Sequence, residues 1–434
     1  MPHKKKIATS ILNINLRTEM VAVVVAVLLA AITTGPPAQA QTFQVLHAFT
    51  DQQDGASPGA GLVMDRGGRL YGTTDGGFIS PTAGSAFKIT GSKSGWVLFP
   101  LYDFSSQHNG NSPGALTFGP DGNLYGATVA GGAGGRCNEG AGCGTVFKLQ
   151  APPTACVAFL CYWTETVLYN FTGGADGWYP GAVIFDAAGN LFGTTVFGGT
   201  GDCGGDGCGT IYKLTPSPGG WTETVLFNFT APAQGLFPTS GLIFDAAGNL
   251  YGAAEGGNNN HGVIYELSPS NGSWTETILH TFQGSDGSGP EGPLIADHAG
   301  NLYGVTAGGG SENEGTVFEL AQPGTWTFEL LYSFSNSLLG AQPNGALVFD
   351  NAGNLYGATG TGGAFDGGTI FKLTPSNGSW IKTDLHDFNG SDGVEPNGGL
   401  IFDADGNLYG TAQMGGNTGG NCYIGCGTVW ELTP

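Results

Sequence analysis

The sequence is short of charge. Lys, Arg, Asp and Glu make up only 11% of its 434 residues, and 13 of those residues are basic. Four of the 13 (Lys4, Lys5, Lys6 and Arg17) lie within residues 1–40. From Gln41 onward nine Lys and Arg face 33 Asp and Glu, a formal net charge of −24. Nucleic acid and anionic membrane surfaces both need a basic patch, so neither is an expected partner. Apolar runs are scarce too. The apolar run at residues 21–31 is short for a membrane-crossing helix, and no other stretch could form one. There is no Gly-x-Ser-x-Gly elbow, no P-loop and no His-Glu-x-x-His. No loop carries the twelve-residue calcium pattern.

Glycine is what the chain has in excess, 80 residues of 434. It follows no triplet period, which excludes a collagen-like rod. It gathers instead between short runs of β-forming residues, where turns and loops belong.

Those runs repeat. Phe244-Asp245-Ala246-Ala247-Gly248-Asn249-Leu250-Tyr251-Gly252 has six close relatives, whose tyrosine position is Tyr71, Tyr125, Phe192, Tyr303, Tyr356 and Tyr409. Spacings of 52 to 67 residues mark a repeat architecture whose units stack to bury a shared core. The unit reads as strand, turn, strand. Asp65, Asp186, Asp245, Asp297, Asp350 and Asp403 open the turns, where a carboxylate can accept the next backbone N–H groups and Gly can supply a positive φ. The second copy turns with Gly119-Pro120-Asp121-Gly122. Turn chemistry, rather than seven binding sites, is the expectation for these Asp residues.

Each repeat offers four short strands, here called A (241–244), B (250–253), C (263–267) and D (275–282) after the fourth copy. Alternating polar and apolar residues mark strand D as half-buried. The order of strands is offset. Seven A, B and C strands occur, but the seventh D-type strand stands first, at residues 43–49. A linear β-solenoid, the alternative fold, gives no reason for that offset. A closed ring does, because the first strand completes the last sheet and removes exposed edges. The expected fold is an all-β, seven-bladed β-propeller over residues 41–434, closed by its N-terminal outer strand.

Residues 1–40 read as an export signal: a basic start, the apolar run 21–31, and Ala38-Gln39-Ala40 as a small-x-small cleavage site. An uncleaved anchor is the alternative. The eight cysteines form four close pairs, Cys137/Cys143, Cys156/Cys161, Cys203/Cys208 and Cys422/Cys426. In an exported chain these read as disulfides. Zinc is the competing reading, but there is no Cys-x-x-Cys and no histidine beside the pairs. The expected location is secreted, periplasmic or cell-surface associated.

Antiparallel strands alternate in direction, so the A–B and C–D connections share one face of the ring. The B–C and D–A connections share the other, and they vary more. A rigid scaffold with variable loops places binding residues on the loops. The candidates on this loop face are Asp54, Asp176, Trp178, Tyr179, Asp286, Asp392 and Glu395. Trp178-Tyr179 has the shape to stack on a sugar ring. The competing reading is that Asp-Gly makes turns and the aromatics pack locally. His47, His280 and His386 share a strand-D position with Tyr and Phe of other repeats, which marks a packing site. No catalytic residue is singled out, no metal site is defined, and no cofactor is called for beyond a calcium ion in a carboxylate-lined loop or channel.

The unit Gly-x-Leu-Ile-Phe-Asp-x-x-Gly-Asn-Leu-Tyr-Gly-x-Thr resembles the Gloeobacter/Verrucomicrobium-type tandem repeat of exported bacterial proteins. It is more loosely similar to the sensor propeller repeats of two-component regulators, through Asp350-Asn351-Ala352-Gly353-Asn354-Leu355-Tyr356-Gly357. The first resemblance implies a repeat fold and assigns no activity. It also implies a C-terminal surface anchor, which is not expected here because the chain ends on its last strand. The second implies ligand sensing, without the kinase that would make it signalling. The leading expectation is an exported, non-catalytic binding or scaffold protein, with an extracellular or cell-wall glycan or another surface protein as partner. The alternative is a polysaccharide lyase or hydrolase with its site on the loop face. A plain structural role is the third reading.

Overall fold

The computed structural model describes residues 41–433, apart from 52–53, 76–82, 94, 106–108, 134, 136, 138–139, 154–161, 258, 323 and 417–421. Residues 1–40 and the Cys156/Cys161 pair therefore lie outside the described residues. Residues 43–433 form one compact unit.

Seven antiparallel sheets follow one another around a ring, so the repeats close rather than stack in a line. Blade 4 shows the plan: Ile243–Phe244, Leu250–Ala254, Val263–Ser270 and Ser273–Thr281, paired in that order. The seventh sheet is assembled from both ends of the unit. Ile401–Phe402, Leu408–Ala412 and Thr428–Thr433 are followed, at the outer edge, by Thr42–Ala48.

Local chemistry explains each step of a blade. The A–B turn is held by its Asp. Asp245 Oδ1 accepts from the N–H groups of Ala247 (2.8 Å) and Asn249 (2.9 Å). Its Oδ2 accepts from Asn249 Nδ2 (2.8 Å) and from the Tyr251 hydroxyl (3.1 Å). Burial alone would raise the Asp245 pKa, but these bonds outweigh it and hold the carboxylate below its usual range. The same Asp–Tyr bond recurs at Asp65, Asp121, Asp297, Asp350 and Asp403.

In strand B the glycine of Leu-Tyr-Gly is required by close approach. A Cβ on Gly72, Gly126, Gly193, Gly252, Gly304, Gly357 or Gly410 would lie 2.3–2.8 Å from an aromatic side chain of strand C. Those aromatics are Phe87, Phe147, Tyr212, Tyr265, Phe318, Phe371 and Trp430, all essentially fully buried. Each contributes about 1.5–3 kcal/mol by leaving water.

Strands C and D are longer than the sequence pattern suggests. The Pro-Ser-Asn-Gly-Ser segment after Leu373 reads as a loop, but Pro375 pairs with Trp380 and Ser376 with Ser379. Only Asn377 (φ 50°) and Gly378 (φ 80°) turn the chain. Both lie at positive φ, as a tight hairpin turn between twisted strands requires. Asn271-Gly272 repeats it in blade 4. The D strand of blade 1 is a full nine-residue strand, Gly95–Asp103.

Neighbouring blades are locked by aromatics at the turn face. A tryptophan at or just before the start of strand D in one blade meets the B-strand ring of the previous one: Trp163 on Tyr71, Trp274 on Phe192, Trp326 on Tyr251, and Trp96 on Tyr409 across the seam. The seam core joins Leu46, Phe49 and Val429 of blade 7 to Leu62, Leu70 and Phe87 of blade 1.

Candidate functional site

The loop face carries a seven-fold device between blades. Ser57, Ser112, Tyr179, Phe237, Gly289, Gln342 and Glu395 each precede a proline, and each has a left-handed backbone with φ between 54° and 65°. Each donates its N–H to a carbonyl of the previous blade at 2.8–3.2 Å: Cys426, Ala83, Cys143, Cys208, His261, Glu314 and Gly367 in that order. The following proline ring then packs beside the next glycine of that blade. A Cβ on Gly427, Gly84, Gly144, Gly209, Gly262, Gly315 or Gly368 would lie 2.4–2.6 Å from the proline Cδ.

Six of the seven left-handed residues are not glycine. A left-handed backbone costs such a residue energy, and it persists only where surrounding structure fixes it. The interblade bond fixes it here. The backbone at these six positions, and the direction in which each side chain leaves it, is therefore set, and the side-chain types differ from blade to blade.

Inside this ring lies the mouth of the central channel. A cavity of about 480 Å³ is lined by the inner segments that follow the prolines, including Gly59, Glu291, Asn344 and Asn397. A second cavity of about 450 Å³ opens between blades 5 and 6 and shares Glu291 and Asn344 with it, adding Ser288, Asn313 and Gln342. An amide relay crosses blades 6 and 7: Asn344 Nδ2 donates to Asn397 Oδ1 (2.6 Å), and Asn397 Nδ2 donates to Gln413 Oε1 (2.7 Å). Asn344 Oδ1, at the head of the relay, is buried and has no partner among the described residues. Carboxylates surround the same mouth. Burial raises the pKa of Glu291 and of Glu395. Burial and the negative charge of Glu291 together raise that of Glu255. Tyr179 is pushed up by burial and by the charge of Asp75 in blade 1.

Of the sequence candidates, Tyr179 and Glu395 belong to this ring. The four Asp residues stand behind it and bind their own loops. Asp392 accepts from His386 Nε2 (3.0 Å), Asn389 N–H (2.9 Å) and Asn389 Nδ2 (2.9 Å). Asp286 accepts from His280 Nε2 (2.9 Å) and Gln283 N–H (2.7 Å). Asp54 accepts from His47 Nε2 (3.0 Å) and from the backbone and hydroxyl of Thr50. Asp176 does the same with Tyr169 and Thr172. The shared strand-D position of His and Tyr thus serves the loop Asp of its own blade. Trp178 lies flat on Phe197, with ring centroids 4.5 Å apart, and its indole N–H reaches the Asp206 carbonyl (3.3 Å). Tyr179 stands edge-on to the same Phe197 and is 38% exposed.

Three disulfides brace the device. Cys137–Cys143, Cys203–Cys208 and Cys422–Cys426 have Cα atoms 4.9–5.3 Å apart. In each, the second cysteine supplies the carbonyl that holds the left-handed residue of the next blade. Among the described residues no group of three or more His, Cys, Asp or Glu is arranged to hold a metal ion, and no helix is long and apolar enough to cross a membrane.

The profile of the Gloeobacter/Verrucomicrobia repeat matches residues 139–318 and 289–434. The chain belongs to that repeat family. No curated protein matches it. Among solved structures, it is similar to a candidate gluconolactonase at 13% identity, TM-score 0.42, over 80% of this chain and 95% of that one. It is also similar to a candidate oxidoreductase (glucose dehydrogenase) from Thermus thermophilus at 16% identity, TM-score 0.44, over 91% of this chain and all of that one. In this member of the repeat family, the residue before each proline is the site feature that sequence reading passed over. Its signal was a fixed offset filled by Ser, Ser, Tyr, Phe, Gly, Gln and Glu, with nothing in common but place.

Proposed function

We propose that this repeat protein is an exported, non-catalytic binding module whose ligand is a hydroxyl-rich glycan seated at the channel mouth of the loop face. The observation that carries the reading is a set of polar groups at two adjoining cavities that share Glu291 and Asn344, one of them lined by Gln342 of the left-handed ring. A preorganised backbone loses little freedom on binding. The relay Asn344–Asn397–Gln413 presents amide groups of the kind that hydrogen-bond sugar hydroxyls, and the buried Asn344 Oδ1 still needs a donor. The acidic rim of Glu255, Glu291 and Glu395 favours neutral over anionic ligands. Residues 1–40 would direct export, and the three disulfides suit an oxidising compartment outside the cytoplasm.

The test is a screen of the purified protein against a glycan array, with calcium and with chelator, following products as well as binding. Neutral glycan binding that is lost in Gln342→Gly and Tyr179→Gly, with unchanged thermal stability, supports the module. Silence on every glycan overturns the carbohydrate reading and favours a protein partner.

One observation favours a second reading. Glu255 is held protonated to higher pH by burial and by Glu291, as an acid/base pair requires. New reducing ends or unsaturated sugars, abolished by Glu255→Gln or Glu291→Gln, would establish a hydrolase or lyase.

A further inference from the structure

A larger cavity, about 1000 Å³, lies on the opposite, turn face between blades 1 and 2. Its charged lining residues are Asp65, Arg66, Arg69 and Lys88. Three cations against one anion make it locally positive, in a chain that carries only nine Lys and Arg beyond residue 40.

The cations come from a departure in the repeat. Six A–B turns place Asn at the fifth position (Asn123, Asn190, Asn249, Asn301, Asn354 and Asn407). Blade 1 reads Asp65-Arg66-Gly67-Gly68-Arg69. Arg69 Nε takes over the Asn bond to Asp65 Oδ2 at 2.6 Å. Its two terminal amino groups make no hydrogen bond among the described residues, and Arg66 is exposed with no ion pair there. The turn therefore keeps its shape while gaining two guanidinium groups, of which Arg69 uses only its Nε on the turn and Arg66 forms no ion pair among the described residues. Lys88 stands 4.9 Å over the Phe99 ring. Burial, and then the nearby charge of Arg69, lower its pKa, and the charge of Asp65 offsets them only in part.

The walls are flat and apolar: Phe99, Pro120, Pro152 and Trp163. The Trp163 N–H bonds the Leu101 carbonyl of blade 1 (2.7 Å), which seats the C–D connection of blade 2 against the cavity. Guanidinium forks match carboxylate and sulfate oxygens, and aromatic faces stack on sugar rings.

We infer that this cavity is a second binding site, for an acidic saccharide whose carboxylate or sulfate sits between Arg66, Arg69 and Lys88 and whose ring lies against Trp163. It is separate from the loop-face mouth, whose acidic rim would repel such a ligand.

The experiment titrates the purified protein with trigalacturonate, with its neutral counterpart trigalactose, and with inorganic sulfate, by calorimetry and tryptophan fluorescence. Arg66→Ala/Arg69→Asn is the informative variant, because it writes Ala and Asn where other repeats already carry them and so preserves the turn. Trigalacturonate should bind in preference to trigalactose, more weakly as salt rises, and roughly tenfold or more weakly in the variant at unchanged melting temperature. Equal affinity in the variant, equal binding of the neutral sugar, or no binding of trigalacturonate would overturn the inference. Sulfate binding alone would reassign the cavity to an inorganic oxyanion. Because the readout is a turn-face variant, failure here leaves the loop-face reading untouched.

Discussion

Pro58 of the first blade fills the space beside Gly427 of the seventh, so that a Cβ on Gly427 would lie 2.4 Å from the proline Cδ. Gly427 also has φ 97°, outside the range comfortable for other residues. Gly427→Ala should therefore cost about 2–4 kcal/mol, one part backbone strain and one part overpacking at the seam. Gly248→Ala is the control. It has φ 89° but nothing within 4 Å of its Cβ, and only the backbone part, about 1–2 kcal/mol, should appear. Urea unfolding that ranks the two equally would refute the proline–glycine lock.

Stability should fall as pH rises from 4.5 to 8. Burial pushes Glu165 up to about 7, Glu223 up to about 7 (with the Asp176 charge adding) and Glu276 up to about 8, from an ordinary 4.5. Each also has a buried Oε1 without a partner among the described residues. A folded-state pKa above the unfolded one means the folded protein holds a proton that the unfolded chain sheds. The stabilisation is full below about pH 4.5 and is lost as pH passes 7–8. His280 opposes this, because burial lowers its pKa and its contribution is lost as pH falls below 6.5. One histidine against three carboxylates leaves the net slope downward. Thermal melts at pH 5 and pH 8.5 should show the lower melting temperature at pH 8.5. Glu165→Gln/Glu223→Gln/Glu276→Gln should flatten the difference, and an unchanged difference would discredit the assignment.

Cys422→Ser/Cys426→Ser should cost roughly 2 kcal/mol, the loop-closure value for so short a ring. The loss should be local as well. Cys426 O accepts the Ser57 N–H across the seam at 2.8 Å, so amide exchange at Ser57 should quicken more than at Ser112, whose partner Ala83 carries no disulfide.

Asp392 and Tyr179 should separate stability from binding. Asp392→Ala leaves the Asn389 N–H and His386 without their acceptor, and should destabilise by about 1–3 kcal/mol with little effect on ligand affinity. Tyr179→Gly should do the reverse, since glycine tolerates φ 63° without strain. Paired melting curves and titrations check both.

Sequence legibility followed the locality of the forces. Asp245 and Tyr251 bond within one turn, and their pattern was readable because both partners recur at fixed offsets. The ring closure was readable because the D strand at residues 43–49 had no C strand before it. The interblade residues were not, because the left-handed state of Gln342 or Glu395 is imposed by a carbonyl some 28 residues away in sequence, against the extended preference of a residue before proline. Pro375 misled in the same way. Strand C there extends past the stretch paired with strand B, which ends at Leu373, and an unpaired side tolerates a missing N–H. Asp54, Asp176, Asp286 and Asp392 were visible as candidates, yet their partners, one on the preceding strand and one in the loop, account for them as loop anchors.

The strand Thr42–Ala48 finds its partner Thr428–Thr433 only after almost the entire chain has been made. The entropy of that closure grows slowly with chain length, but the wait does not. During synthesis the first strand must stay unpaired and the growing arc must keep an open edge. A chain cut short anywhere before the seventh blade cannot fasten. Protease resistance would then arrive in a single late step, once the last strand is made.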